Sequence, residues 1–286
     1  MDQRIIDLYD EYTHAPLDRR VFLERLATLT GGTAAAIAIL PLLENRAVAA
    51  VVEPNDSRIA ATNVTFPGQT GEVKGYLVKP AAGGKAGAVV VIHENRGLNA
   101  HIEDVARRLA VGGFLALAVD FLSPAGGTPT DEDQARDMIG KLDPAQTTAN
   151  AVAAVAYLRS SSDGNGKVGA VGFCWGGGLV NQLAVNDPTL DAAVAYYGRT
   201  PDPADVPKIK APLLLHYAGQ DTRINEGVPA FQQALDKAGV TYTLHMYEGA
   251  QHAFNNDTSA ERYNPEAAKL AWDRTLAFFA EKLKSA

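Results

Sequence analysis

The chain has 286 residues, 47% hydrophobic and 21% charged, enough apolar material for one sizeable α/β domain or two small ones. Its formal charge of −7 argues against a nucleic-acid partner, because phosphate binding needs a clustered cationic face. A single cysteine excludes an intramolecular disulfide and a cysteine-cluster metal site, and none of the six histidines falls in a spacing such as H-E-x-x-H, so no metal and no cofactor are expected.

The N-terminal extension, residues 1–55, supports two readings. Arg19-Arg20, then Phe22-Leu23, an apolar stretch and Ala47-Val48-Ala49 follow the order of a bacterial twin-arginine export signal, which leads to the periplasm. The apolar part is broken by Thr28, Thr30, Gly31, Gly32 and Thr33, too short and too polar to span a membrane. The same residues also fit a packed helix of a cytoplasmic protein. Asp18 would cap it, Val21, Phe22, Leu26 and Leu29 would form its buried stripe, and Gly31-Gly32 would end it.

The α/β domain is expected over residues 56–286. "ATNVTFPG" and "VKGYLVKPA" alternate with period two around Gln69-Thr70-Gly71 and predict an antiparallel hairpin. "AVVVIH" is a continuous β-branched run, the pattern of a strand covered on both faces. From there strands and helices alternate: helix "HIEDVARRLAVGG", strand "FLALAVDFL", helix "TTANAVAAVAYLRSS", strand "KVGAVGF", helix "WGGGLVNQLAVN", strands "DAAVAYYG" and "APLLLHYAG", helix "GVPAFQQALDKAG", strand "TYTLHMY" and a final helix "NPEAAKLAWDRTLAFFAEKLK". Such alternation predicts a mostly parallel sheet with helices on both faces, whose reactive groups collect at the carboxyl ends of the strands.

Cys174 stands at such an end. It lies in Gly172-Phe173-Cys174-Trp175-Gly176, between a buried strand and a helix, where small neighbours tolerate a strained turn and the helix start favours a thiolate. Free cysteines are often merely buried, but strand, G-x-C-x-G and helix together make it the expected nucleophile. His252, in the glycine-containing loop "EGAQHAFNN", is the expected base, while His216 and His245 lie inside apolar strands as core residues. Asp221, in the turn after "PLLLHY", is the expected orienting carboxylate; Asp187, Asp191 and Asp202 read as turn or cap residues. The order nucleophile, acid, histidine is that of α/β-hydrolase triads. The oxyanion donors are expected to be the backbone amides of Trp175 and, from the loop "HENRGLN", Asn95.

"VIHENRGLN", "VDFL", "GKVGAVGFCWGG", "AVAYYG", "GQDTRI" and "GAQHAF" together resemble the dienelactone hydrolase family of α/β-hydrolases, the carboxymethylenebutenolidase-like enzymes, over roughly residues 60 to 284. The resemblance implies a Cys174–His252–Asp221 triad and a role for Glu94, as a carboxylate that contacts the resting thiol and moves aside when substrate binds. It also implies arginines after the "VD" strand and after the catalytic histidine, yet "VDFLSPAGG" and "HAFNN" hold none, so neutral substrates are expected to be preferred over acidic ones. Arg96 and Arg199, with Tyr197 and Phe254, are the candidate substrate contacts. The function expected is hydrolysis of small esters or lactones through a thioester, with acyl transfer, or a silent redox or binding protein on the same scaffold, as rivals. A homodimer is among the assemblies the sequence allows.

Overall fold

The computed structural model describes residues 1–14, 17–43 and 50–284. Three N-terminal helices, α1 (Gln3–His14), α2 (Arg19–Thr30) and α3 (Thr33–Leu43), precede the hairpin of β1 (Ile59–Gly68) and β2 (Gly71–Pro80). The alternating part runs β3 (Ala86–Ile92), α4 (Ala100–Val111), β4 (Leu115–Asp120), α5 (Glu132–Ile139), α6 (Pro144–Arg159), β5 (Gly164–Phe173), α7 (Trp175–Asn186) and β6 (Ala192–Tyr196). It continues with β7 (Leu213–Ala218), α8 (Thr222–Asn225), α9 (Val228–Ala238), β8 (Tyr242–Tyr247) and α10 (Pro265–Lys282).

The strands form one sheet in the order β1-β2-β4-β3-β5-β6-β7-β8, antiparallel through the hairpin to β4 and parallel from β4 to β8. The expected hairpin and parallel sheet are both present. β3 carries the burial pattern its β-branched run requires, because successive side chains point to opposite faces. Ala88, Val90 and Ile92 pack on one face with α6, α7 and α9; Val89 and Val91 pack on the other with α4 and α10.

The N-terminal helices make a separate small core from Ile5, Leu8, Tyr9, Tyr12, Phe22, Leu26, Ala36 and Leu43. α2 has the ends the sequence offered: the Asp18 side chain accepts from the Arg20 amide, and Gly31 closes the helix in the left-handed region at φ 82°. Phe22 and Leu26 are buried, whereas Val21 and Leu29 are only half-buried. Arg19 pairs with Asp133 of α5, and Tyr12 donates to the same carboxylate at 2.7 Å, so the extension is docked on the domain. Ala47-Val48-Ala49, the last part of the export-signal order, lies outside the described residues. Among those described, no single helix is long and apolar enough to cross a membrane; α2 and α3 together are, but they meet at 109°. The segment entering the domain is tied to α4: the Asp104 carboxylate accepts from the amides of Val51 and Val52, and Arg107 donates to the Val52 carbonyl.

Candidate active site

Each expected catalytic residue sits at the carboxyl edge of the sheet, and close packing of backbone explains why. Cys174 stands between β5 and α7 at φ 57°, a conformation that a residue with a side chain adopts only when its surroundings impose it. Its amide is fixed to the Tyr196 carbonyl of the neighbouring strand. A Cβ on Gly176 would stand 2.4 Å from the His93 carbonyl oxygen, and one on Gly172 would stand 2.2 Å from the Gly176 carbonyl oxygen. The glycines of the motif thus let α7 start directly against β3 and β5, which aims Cys174 out of the sheet. Tyr197 (φ 38°) and Ala253 (φ 64°) share the left-handed region, and both adjoin this site.

Asp221 ends the turn after β7 and caps α8, accepting from the Ile224 amide. Its other oxygen accepts from His252 Nδ1 at 2.5 Å, and both side chains are almost wholly buried. A bond to Nδ1 fixes the ring orientation and leaves proton exchange with reactants to Nε2. Burial opposes charging of this imidazole, but the carboxylates of Asp221 and Asp10 and the Cys174 thiolate outweigh it and hold His252 well above its ordinary pKa. His216 and His245 are elsewhere: His216 is buried between Tyr247 and Thr275, and burial holds its pKa well below the ordinary value.

Trp175 is the first residue of α7, so its amide has no acceptor within the helix. Its ring stacks on His93 at 5.2 Å. His93 Nδ1 donates to the Glu94 carbonyl, and its Nε2 accepts from the Phe121 amide, which steadies the loop carrying Glu94 and Asn95. The Glu94 carboxylate accepts from Asn256 Nδ2 at 2.7 Å and from the Tyr197 hydroxyl at 3.5 Å. It lines a narrow cavity shared with Tyr9, Thr13, Cys174, His252 and Arg262.

Cys174, Trp175, Asn95 and His252 open onto a larger cavity of about 640 Å³, whose wall also includes Thr13, Arg136, Arg199 and Arg223. Among the candidate substrate contacts only Arg199 has this position. Tyr197 and Phe254 are fully buried behind the triad, ring against ring at 5.4 Å, and so support it without lining either cavity. Arg96 lines the narrow cavity but is largely buried, its guanidinium bound to the Glu132 carbonyl and the Asp133 carboxylate of α5. The two vacant motif positions do not leave the pocket without cations. Exposed Arg199 reaches the wall from the β6–β7 loop, and exposed Arg223 reaches it from α8. Arg262 reaches the site from ten residues beyond His252.

Four contributors escaped the sequence: Asn256, Arg262, Asp10 and Thr13. Asn256 follows the histidine loop closely enough to have been found by asking what holds Glu94; the other three carry no local motif. Asp10, Asp221 and His252 offer donor atoms within 4.8 Å of one another, as a metal site would. The Arg262 cation, 3.2 Å from Asp10, already balances that charge.

The family model for the dienelactone hydrolases matches residues 73–283, and a model described as YqhI-like matches residues 1–32. A Saccharolobus solfataricus protein provisionally named carboxymethylenebutenolidase is 38% identical over 227 residues, 67% of this chain and 88% of its own. A solved Klebsiella pneumoniae protein, provisionally described as a dienelactone hydrolase, superposes with TM-score 0.70 at 32% identity, covering 78% of this chain and 99% of that one. A dienelactone hydrolase-like promiscuous phosphotriesterase from metagenomic libraries superposes with TM-score 0.72 at 26% identity, covering 79% and 100%.

Proposed function

This chain belongs to the dienelactone hydrolase family and is a carboxylic-ester hydrolase of the α/β-hydrolase fold, and we propose that it cleaves small esters or lactones through a thioester on Cys174. The observation that carries this reading is a strained cysteine at the start of α7 sharing a cavity with an Asp221-bound His252. The thiolate attacks the carbonyl carbon, and the oxyanion is received by the amides of Asn95 and Trp175. Collapse of the tetrahedral intermediate breaks the C–O bond, and His252 gives its proton to the leaving alkoxide. Water then attacks the thioester with His252 as base, and the thiolate leaves as the carboxylic acid forms.

Glu94 places negative charge on the lining it shares with Cys174, which disfavours a thiolate until substrate displaces it. Retention of residues 1–43 on the mature enzyme, rather than their loss on twin-arginine export, is the reading adopted for the N-terminus. Its support is the Arg19–Asp133 pair and the match to residues 1–32.

The test is hydrolysis of p-nitrophenyl acetate by Cys174→Ala. Its kcat/KM should fall by at least about 10³-fold with the fold intact, as for other nucleophile deletions. Turnover retained near the wild-type level would remove the cysteine from the mechanism.

A further inference from the structure

The triad accounts for Asp221 but leaves a second carboxylate beside the same histidine. α1 runs over the mouth of the narrow cavity, and Tyr9 and Thr13, one helical turn apart, both line it. Thr13 does more than cover: its carbonyl accepts from the Asn95 side-chain amide at 2.5 Å, so the helix grips the residue whose backbone amide is an oxyanion donor. Between Tyr9 and Thr13 lies Asp10, whose carboxylate is within 4.8 Å of both the His252 ring and the Asp221 carboxylate. Arg262, itself buried, binds Asp10 at 3.2 Å and reaches across Tyr9, with its guanidinium 5.2 Å from that ring.

We propose that α1 is part of the catalytic site and that Asp10 is a positioning residue for His252, a second carboxylate that with Arg262 sets the charge and orientation of the catalytic imidazole. The inference rests on the cysteine-hydrolase reading above and adds to it a residue from outside the sheet domain. The charged and titratable groups around the imidazole are Asp221 from the β7–α8 turn, Asp10 from α1, Cys174 from the elbow, Glu94 and Arg96 from the β3–α4 loop, Tyr197 from the β6–β7 loop with its ring 5.0 Å away, and Arg262 from the segment before α10. Without Asp10, Arg262 would face Glu94 and the thiol with its charge uncompensated on the α1 side. With it, the cation is matched locally, and the imidazolium that accompanies the thiolate gains a second carboxylate near Asp221.

The physical consequence has a definite sign. A neighbouring negative charge stabilises the imidazolium, so removing it lowers the pH at which the thiolate–imidazolium pair is lost. The experiment measures kcat/KM for p-nitrophenyl acetate against pH in the full chain, for wild type, Asp10→Asn, Asp10→Glu and Cys174→Ala. Asp10→Asn keeps the shape and a hydrogen bond to Arg262, and its alkaline limb should move down by about one pH unit, the size expected for a charge at this range. Asp10→Glu should restore the limb, which a merely structural loss at the α1 contact would not allow. Superimposable limbs for wild type and Asp10→Asn, with Cys174→Ala inactive, would overturn the role of Asp10 and leave the nucleophile standing. Turnover surviving in Cys174→Ala would instead overturn the mechanism on which it rests.

Discussion

The elbow of the sheet domain and the N-terminal helices hold the same site by different means. At the elbow, backbone packs on backbone: Gly172, Gly176 and Gly177 let α7 touch β3, β5 and β6 with no side chain between them. In the extension, side chains do the holding. Tyr12 stacks on Phe22 at 4.3 Å, Arg136 lies 4.4 Å over Tyr12, and Arg19 pairs with Asp133. Backbone contact fixes geometry with little tolerance, so it needs particular residues at fixed spacing. Side-chain contact can be made by many combinations, so it leaves a weaker trace in the sequence and a softer structure.

That contrast can be broken first at the glycines. Gly176→Ala sets a Cβ against the backbone oxygens of Ile92 and His93 and should cost about 3 kcal/mol or more, with loss of activity. Gly31→Ala meets nothing within 4 Å and bears only its positive φ, so it should cost about 1 kcal/mol and leave activity near wild type. Chemical denaturation of both variants checks this. Equal costs would mean that the elbow is no more tightly specified than the end of α2.

A core truncation in the extension comes next. Leu26 is fully buried in the small N-terminal core, and Leu26→Ala should cost about 3 kcal/mol there. Because that core is separate from those of the sheet, the loss should appear as faster proteolysis within residues 1–43. The main melting transition of the domain should shift little. A single cooperative transition lowered as a whole would show that the two regions fold as one unit.

The smallest effect concerns the wall of the large cavity. Arg199 and Arg223 are exposed, and exposed charges interact weakly, so an acidic ester should be preferred over a matched neutral one by only about two- to fivefold. The preference should disappear in Arg199→Ala/Arg223→Ala and weaken with added salt. A neutral preference in wild-type kcat/KM would restore the expectation drawn from the vacant motif positions.

The strand-to-helix alternation, the hairpin, the G-x-C-x-G turn and the chain order of Cys174, Asp221 and His252 were legible because each is a local pattern tied to backbone geometry. The caps of α2 were legible for the same reason, since Asp18 and Gly31 act within a few residues of themselves. α5 was missed: its eight residues have only Ala135 and Ile139 buried, too short a stripe to stand out. Tyr197 and Phe254 neighbour the candidate motifs in sequence, yet both rings pack inward, Tyr197 on Tyr196 and Phe254 on Tyr247, behind Cys174 and His252, because large apolar rings gain most by burial.

By itself, then, the sequence determined the sheet and the elbow and pointed to Cys174, Asp221 and His252 at its carboxyl edge, since these depend on propensity, periodicity and glycine placement over short stretches. Only the tertiary structure decided which charges meet there. Asp10, Glu94, Asp221 and the His252–Arg262 loop come from four separate segments, and Arg262 lies 252 positions from the carboxylate it binds. Charge interactions act through space without requiring any spacing along the chain, so nothing local in the sequence records them.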